Sequence, residues 1–403
     1  MSRAAEIDSS LPARIYINGR FLQQHVTGVQ RYGRELLKAW DELIEAGEID
    51  RRAVEFHILA PRGPIAAPEL RHLSLRQVGR LGGHLWDQLE LPFHARDGVL
   101  FSPGNVHPLV SPALGPGVVT VHDLSYRLRP NSYTIPFRIA YGVLVPAALR
   151  RADAIITASE AEKTNIVARF PMARDRIHVV YHGSPDAELP AEDQPNRTST
   201  SPDLKLDSPK AAEPFALWVG TLSARKNPQG AIDAIALLNK EMKLPLVMVG
   251  ATYKGFKSAY LRTDGYGEVV RFASDVDTPA KLRGLYRRAV CLLFPSFYEG
   301  FGLPPLEAMT NGCPVVTSDI PVLREVCGNA ALYCDPKNPH DIANTIRMLV
   351  NDPELRNRLR RDGLRRASEF SWTKCAHNTL AVLTSIVARA PSHEVPSRKW
   401  STI

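Results

Sequence analysis

Cysteine is scarce in this sequence, and each thing it is short of removes a class of protein. The five cysteines, Cys291, Cys313, Cys327, Cys334 and Cys375, are odd in number and form no Cys-x-x-Cys pair. That argues against a disulfide framework or a thiolate zinc site and for reduced thiols in a cytoplasmic setting. The longest apolar stretch, IAYGVLVPAAL from Ile139, is short and broken by Pro146, so no membrane span is expected. The opening MSRAAEIDSSLPARIYING lacks the apolar segment of a signal peptide. No P-loop glycine spacing occurs, which argues against an ATPase. Basic residues are not interleaved with aromatics, and no nucleic-acid motif accompanies them, so no nucleic-acid partner is expected.

What is present suits a soluble enzyme with room for two cores, since 44% of the 403 residues are apolar. The net charge of +8 resides in arginines such as Arg150-Arg151, Arg287-Arg288 and the run RNRLRRDGLRR at 356–366, read as a solvated helix face. A basic surface fits an anionic substrate or an anionic bilayer. Short apolar runs at 14–19, 54–60, 98–103, 117–123, 153–159 and 176–183 read as strands, with amphipathic stretches such as VQRYGRELLKAWDELIEA between them. Residues 186–213 are rich in Pro, Ser, Asp and Thr and read as a linker or mobile loop. The alternation then restarts at 215–221, 244–250, 268–274, 289–296, 313–319 and 330–336. The fold class is therefore α/β, with two Rossmann-like, doubly wound domains facing a cleft. The boundaries read as 1–185, the linker 186–213, a second domain over 214–371, and a closing helix and tail over 372–403.

Ligands of open α/β sheets bind at the carboxyl ends of the strands, so the segments just after strands hold the candidates. Thr27-Gly28 precede a helix, where glycine permits close backbone approach; a plain N-cap is the competing reading. His122 and Asp123 close the strand GVVTV as either a structural pair or a site. In VGTLSARKNPQGAIDA, Arg225 and Lys226 stand before a helix opening near Pro228, a suitable seat for a diphosphate. In FYEGFGLPPLEAMTNGCPVV, Glu299 and Glu307 flank a Gly-Phe-Gly-Leu-Pro-Pro turn. Proline just inside and glycine just past the end predict a short helix from Pro304 or Pro305 to Gly312. Its N-terminus suits a phosphate, and the two carboxylates suit sugar hydroxyls. Together these features describe a nucleotide sugar.

GTLSARKN followed by FPSFYEGFGLPPLEAMTNGCPVVTSDIPVLREVCGNAALYCDP resembles the retaining GT-B glycosyltransferases of family four, as do TGVQRY, TVHD, TASE and FSW. The resemblance spans nearly the whole chain. It implies a nucleotide-sugar site on the second domain, an acceptor site mostly on the first, and a final helix that crosses back. It implies that Arg225 and Lys226 hold the diphosphate and that Glu299 faces the transferred sugar. Backbone amides of Gly300, Phe301, Gly302 and Leu303 would contact sugar or phosphate, and Glu307 the ribose. His122 and Asp123 would approach the donor sugar, Gly28 the phosphates, and Arg271 and Phe272 the base. Thr221 stands where many members carry arginine, and the resemblance implies that Arg225 takes that arginine's place.

No metal or other cofactor is expected, because fixed cations and a helix N-terminus can stabilise a departing diphosphate. INGRFLQQHVTGVQRY with GTLSARKN is most similar to bacterial mannosyltransferases of surface-polysaccharide assembly, which implies GDP-mannose. The implied acceptor is a saccharide or polyprenyl-diphosphate-linked oligosaccharide, with peripheral contact at the inner membrane face. Alternatives are a UDP- or ADP-sugar donor, a sugar-nucleotide epimerase of the same fold, or a non-catalytic binding subunit.

Overall fold

The computed structural model describes residues 12–109, 115–184, 213–253, 255–263, 269–273, 276 and 278–388. Apart from Glu213, the linker expected over 186–213 lies outside them. Among the described residues, the first domain has strands β1 Ala13–Asn18, β2 Val54–Ala60, β3 Ser74–Gln77, β4 Val99–Ser102, β5 Gly117–Thr120, β6 Ala154–Thr157 and β7 Ile177–Val179. They form one sheet in the order β3-β2-β1-β4-β5-β6-β7. The second domain has β8 Ala216–Val219, β9 Leu246–Val249, β10 Val270–Phe272, β11 Cys291–Phe294, β12 Val315–Ser318 and β13 Ala331–Cys334. Their order is β10-β9-β8-β11-β12-β13. Every pairing is parallel, for example Ile15 opposite Phe56 and Ala216 opposite Leu246.

Parallel strands covered by helices on both faces are buried throughout, and β4, β5, β6, β11 and β12 are buried at every residue. β3 (SLRQ) is the strand that the apolar pattern does not reveal, because as an exposed edge it needs few apolar residues. In each sheet the order reverses beside the first strand of the domain, at β1/β4 and at β8/β11. Such reversals open a crevice above the strand ends. The loops after β1 and β4, with the neighbouring loop after β5, and those after β8 and β11 line the cleft.

The helix Trp372–Val387 leaves the second domain and packs on the first, with Trp372, Cys375, Ala376, Leu383 and Ile386 in the core that holds Tyr32, Leu36 and Trp40. Trp40 Nε1 donates to the carbonyl of Ala376 at 3.1 Å. Where the two connecting segments cross, a Cβ on Gly183 would lie 2.2 Å from the backbone nitrogen of Trp372. All five cysteines are buried and unpaired. Among the described residues no helix is long and apolar enough to cross a membrane.

The run at 356–366 is not simply a solvated face. It lies in the helix Pro353–Ala367, which packs on the helix Leu303–Thr310 through Gly363, whose built Cβ falls 3.2 Å from Met309 Cγ. Arg360 Nε donates to the carbonyl of Gly312 at 3.0 Å, and Arg366 Nε to that of Val326 at 2.9 Å. These two arginines satisfy carbonyls left over at helix ends, while Arg358, Arg361 and Arg365 are exposed.

Gly183→Ala should weaken the crossing by about 2 kcal/mol, the usual range for overpacking, and lower the melting temperature. An unchanged melting curve would show that the two segments do not pack as described.

Candidate active site

Two cations are held by one carboxylate beneath the cleft. β8 runs out at Val219, and the turn Ala224–Lys226 carries Arg225 and Lys226 into the interior, both 8% exposed. Lys226 Nζ lies 2.7 Å from Glu299 Oε1, and Arg225 Nη1 lies 3.0 Å from Glu299 Oε2. Arg225 Nη1 also donates to the carbonyl of Tyr298 at 2.8 Å, and Lys226 Nζ sits 4.7 Å over the Phe294 ring. Burial pushes the Glu299 carboxyl up, but Lys226 and then Arg225 outweigh it and hold the group below its ordinary value. Burial dominates at Lys226 and pulls its ammonium down, with Glu299 opposing. Asn227 follows at φ 52°, and its side chain accepts from Gly230 N at 3.1 Å, capping the helix Pro228–Leu238. The cluster carries one net positive charge, two cations against one carboxylate.

The short helix forms as the prolines require. It spans Leu303–Thr310 behind Gly302, whose φ of 117° no residue with a side chain readily adopts. Its first residues, Leu303 and Pro304, line the cleft. Glu307, one turn in, accepts from Tyr286 OH at 3.1 Å and is ion-paired with Arg31 of the first domain. Arg31 is a site residue that the sequence reading missed. Its signal is its place three residues after Gly28, on the helix Gly28–Glu45.

The first domain faces this cluster with Gly28, His122 and Asp123. Gly28 opens its helix, and a Cβ built on it would lie 4.0 Å from Leu303 Cδ1 across the cleft. His122 is 7% exposed, and its Nε2 lies 2.8 Å from the carbonyl of Pro103. A carbonyl only accepts, so Nε2 carries a proton; burial holds the imidazole below its ordinary value, which favours the neutral form. Asp123 lines the cleft while its Oδ1 accepts from Ser125 N at 2.9 Å. His182, three residues past the end of β7 and inside the stretch 176–183 read as a strand, was also missed. Both its ring nitrogens are buried without a hydrogen-bond partner, and its ring lies 5.4 Å from that of His122. A histidine just after a strand's carboxyl end was its available signal.

The domains meet at Gly300. A Cβ there would lie 2.1 Å from the carbonyl oxygen of His122, so only glycine fits. The Phe301 ring turns into an aromatic cluster with His182 and Phe370, which leaves its backbone for any ligand. Arg271 and Phe272 do not join the site. The Arg271 guanidinium is taken by Glu213 at 3.1 Å, Phe272 is 47% exposed, and neither lines the cleft. Val219, Val249, Val276 and Leu282 line it instead. The whole cleft measures about 1390 Å³, ample for a nucleotide sugar and part of an acceptor.

Two family models match the chain, Glycosyltransferase Family 4 over residues 26–187 and Glycosyl transferases group 1 over residues 204–366. The chain is 32% identical over 273 residues to the O-antigen chain mannosyltransferase B of Escherichia coli, covering 65% of this chain and 68% of that one. It is a family-4 glycosyltransferase. It is also 27% identical over 248 residues to the O-antigen chain mannosyltransferase RfbU of Salmonella typhimurium, where the match covers 61% of the transferase and 64% of the relative. In fold it is similar to the sucrose-phosphate synthase of Thermosynechococcus elongatus, with a TM-score of 0.68 and 20% identity over 94% of this chain and 100% of that one.

Behind the site a carboxyl spans the two domains of the transferase. Glu162 accepts from Leu124 N at 2.9 Å and is hydrogen-bonded to Tyr298 OH. Burial, and then Asp123, push it up to about 8. A carboxyl raised from about 4.5 to about 8 stabilises the fold fully below its unfolded value, and that contribution is lost as pH rises through about 8. Wild type should therefore lose stability between pH 5 and pH 9 by an amount that Glu162→Gln does not show. Parallel pH–stability curves for the two proteins would contradict the shift.

Proposed function

We propose that the enzyme is a retaining mannosyltransferase that moves mannose from GDP-mannose to a polyprenyl-diphosphate-linked oligosaccharide at the inner face of the membrane, in surface-polysaccharide synthesis. The observation that carries the reading is the buried Arg225–Glu299–Lys226 cluster, which lines one cleft with the N-terminal residues of the helix Leu303–Thr310. Breaking the sugar–phosphate bond builds negative charge on the leaving diphosphate and positive charge on the anomeric carbon. Cations already in place need no reorganisation when that charge appears. The acceptor hydroxyl forms the new bond on the face that the diphosphate leaves, and its proton passes to a diphosphate oxygen. Mannosyl transfer in the names of both relatives supports the donor sugar.

In this reading the remaining groups position rather than react. Glu307 exchanges Arg31 for the ribose hydroxyls. Neutral His122, fixed by Pro103, presents its other edge to the donor sugar, and Gly28 lets the first helix approach the phosphates. Val276 and Leu282 border the base. The fixed cations take the part that a metal plays elsewhere, so no metal is needed.

Lys226→Ala should lower turnover by about two to three orders of magnitude, and wild type should keep its activity in excess EDTA. Loss restored by magnesium would overturn the metal-free reading and direct attention to Asp275 and Asp277, an Asp-x-Asp pair that the sequence reading missed and that lies outside the described residues. Calorimetric titration should show GDP binding more tightly than UDP or ADP, with Glu307→Ala weakening it. A preference for UDP or ADP rejects GDP-mannose and leaves the transferase standing.

A further inference from the structure

Two helices of the first domain present apolar side chains to solvent beside the cleft mouth. On the helix Ile135–Arg151, Ile135, Ile139 and Val143 recur every four residues and share one face. Leu85 and Leu89 on the helix Gly83–Leu89, with Phe93 in the turn that follows, form a second stripe. The least exposed of these six is Phe93 at 52% and the most exposed Ile139 at 64%. The helices are neighbours, since the His84 ring lies 6.2 Å from that of Tyr141. Their cleft-side residues, His84, Pro136, Phe137, Ala140 and Tyr141, line the cleft itself. An apolar face of this kind on a water-soluble domain marks an interaction surface.

The charge around it selects the partner. Residues 124–152 carry five arginines and no aspartate or glutamate; Arg127 and Arg129 lie over the Phe170 and Phe297 rings, while Arg138, Arg150 and Arg151 are exposed on the helix itself. In the other segment Asp87 is buried against Arg20 at 2.8 Å, and Glu90 accepts from the backbone of Arg80 and Leu81. Arg80 and Arg96 are exposed there. A two-fold contact between copies would bring these arginines together, which disfavours self-association. Apolar side chains rimmed by arginine match a bilayer with anionic headgroups, where the first enter the acyl boundary and the second meet phosphate.

We infer that the face formed by Ile135, Ile139, Val143, Leu85, Leu89 and Phe93 seats the enzyme on an anionic membrane, with the cleft mouth at the lipid surface. The inference deepens the reading of a lipid-linked acceptor. A saccharide on a membrane-embedded diphosphate then reaches the cleft past Phe137 and Tyr141 without leaving the bilayer.

Sedimentation of the full-length protein with vesicles tests this, without donor or acceptor, so its outcome is independent of the mannose assignment. Wild type should bind vesicles of phosphatidylcholine with phosphatidylglycerol better than phosphatidylcholine alone. The triple variant Ile135→Ser/Ile139→Ser/Val143→Ser should bind about tenfold more weakly, and so should Leu85→Ser/Leu89→Ser, which guards against a fold defect in either. Arg138→Glu should weaken binding to the anionic vesicles alone, roughly tenfold. Absence of wild-type binding, or serine variants that bind like wild type, would overturn the inference. So would a wild-type dimer that the triple variant converts to monomer, because the face would then join two copies.

Discussion

Burying an ammonium beside a guanidinium is costly unless a carboxylate lies between them, and Glu299 is that carboxylate. Its two oxygens divide between Lys226 and Arg225, at 2.7 and 3.0 Å. The same contact fixes the backbone, because Phe297 N donates to the carbonyl of Arg225 at 2.9 Å. The turn after β8 and the loop after β11 are thereby stapled together across the point where the sheet order reverses. The crevice that α/β topology opens there acquires a positive floor that side chains in water could not supply.

The loop that carries Glu299 also carries the seam between the domains. Gly300 packs on the carbonyl of His122, Ser159 Oγ donates to the carbonyl of Gly300 at 2.9 Å, and Tyr298 meets Glu162. Arg129 Nη2 adds a hydrogen bond to the carbonyl of Phe297 at 3.2 Å. Movement of one domain against the other is therefore felt within a residue or two of the cationic cluster. A second link, between Arg31 and Glu307, closes the far side of the cleft. With the ribose on Glu307, as proposed, donor binding would compete with Arg31 for that carboxylate and so be coupled to the domain contact through one side chain.

Much of this was legible in the chain. Strands buried on both faces read as continuous apolar runs, and twelve of the thirteen described strands announced themselves in that way. β3 did not, because an exposed edge leaves little pattern. Proline and glycine placed the helix Leu303–Thr310 correctly, since both act through backbone geometry that a sequence states outright. Ion pairing between distant segments was not legible. Arg31 looks like any helix-face arginine until the fold brings Glu307 to it, and Arg271 looked like a base contact until Glu213 claimed it. Phe301 shows the same limit, as its ring turns to Phe370 while its backbone stays at the cleft.

The central claim is that the Arg225–Glu299–Lys226 cluster and the N-terminus of the helix Leu303–Thr310 together hold the leaving diphosphate. A crystal structure of the enzyme with GDP measures this directly. The account predicts the terminal phosphates within hydrogen-bonding distance of Lys226, Arg225 and the amides at Gly302 and Leu303, with the ribose on Glu307 and Arg31 displaced from it. Phosphates seated elsewhere in the cleft, with Lys226 and Arg225 both still bound only to Glu299, would contradict it.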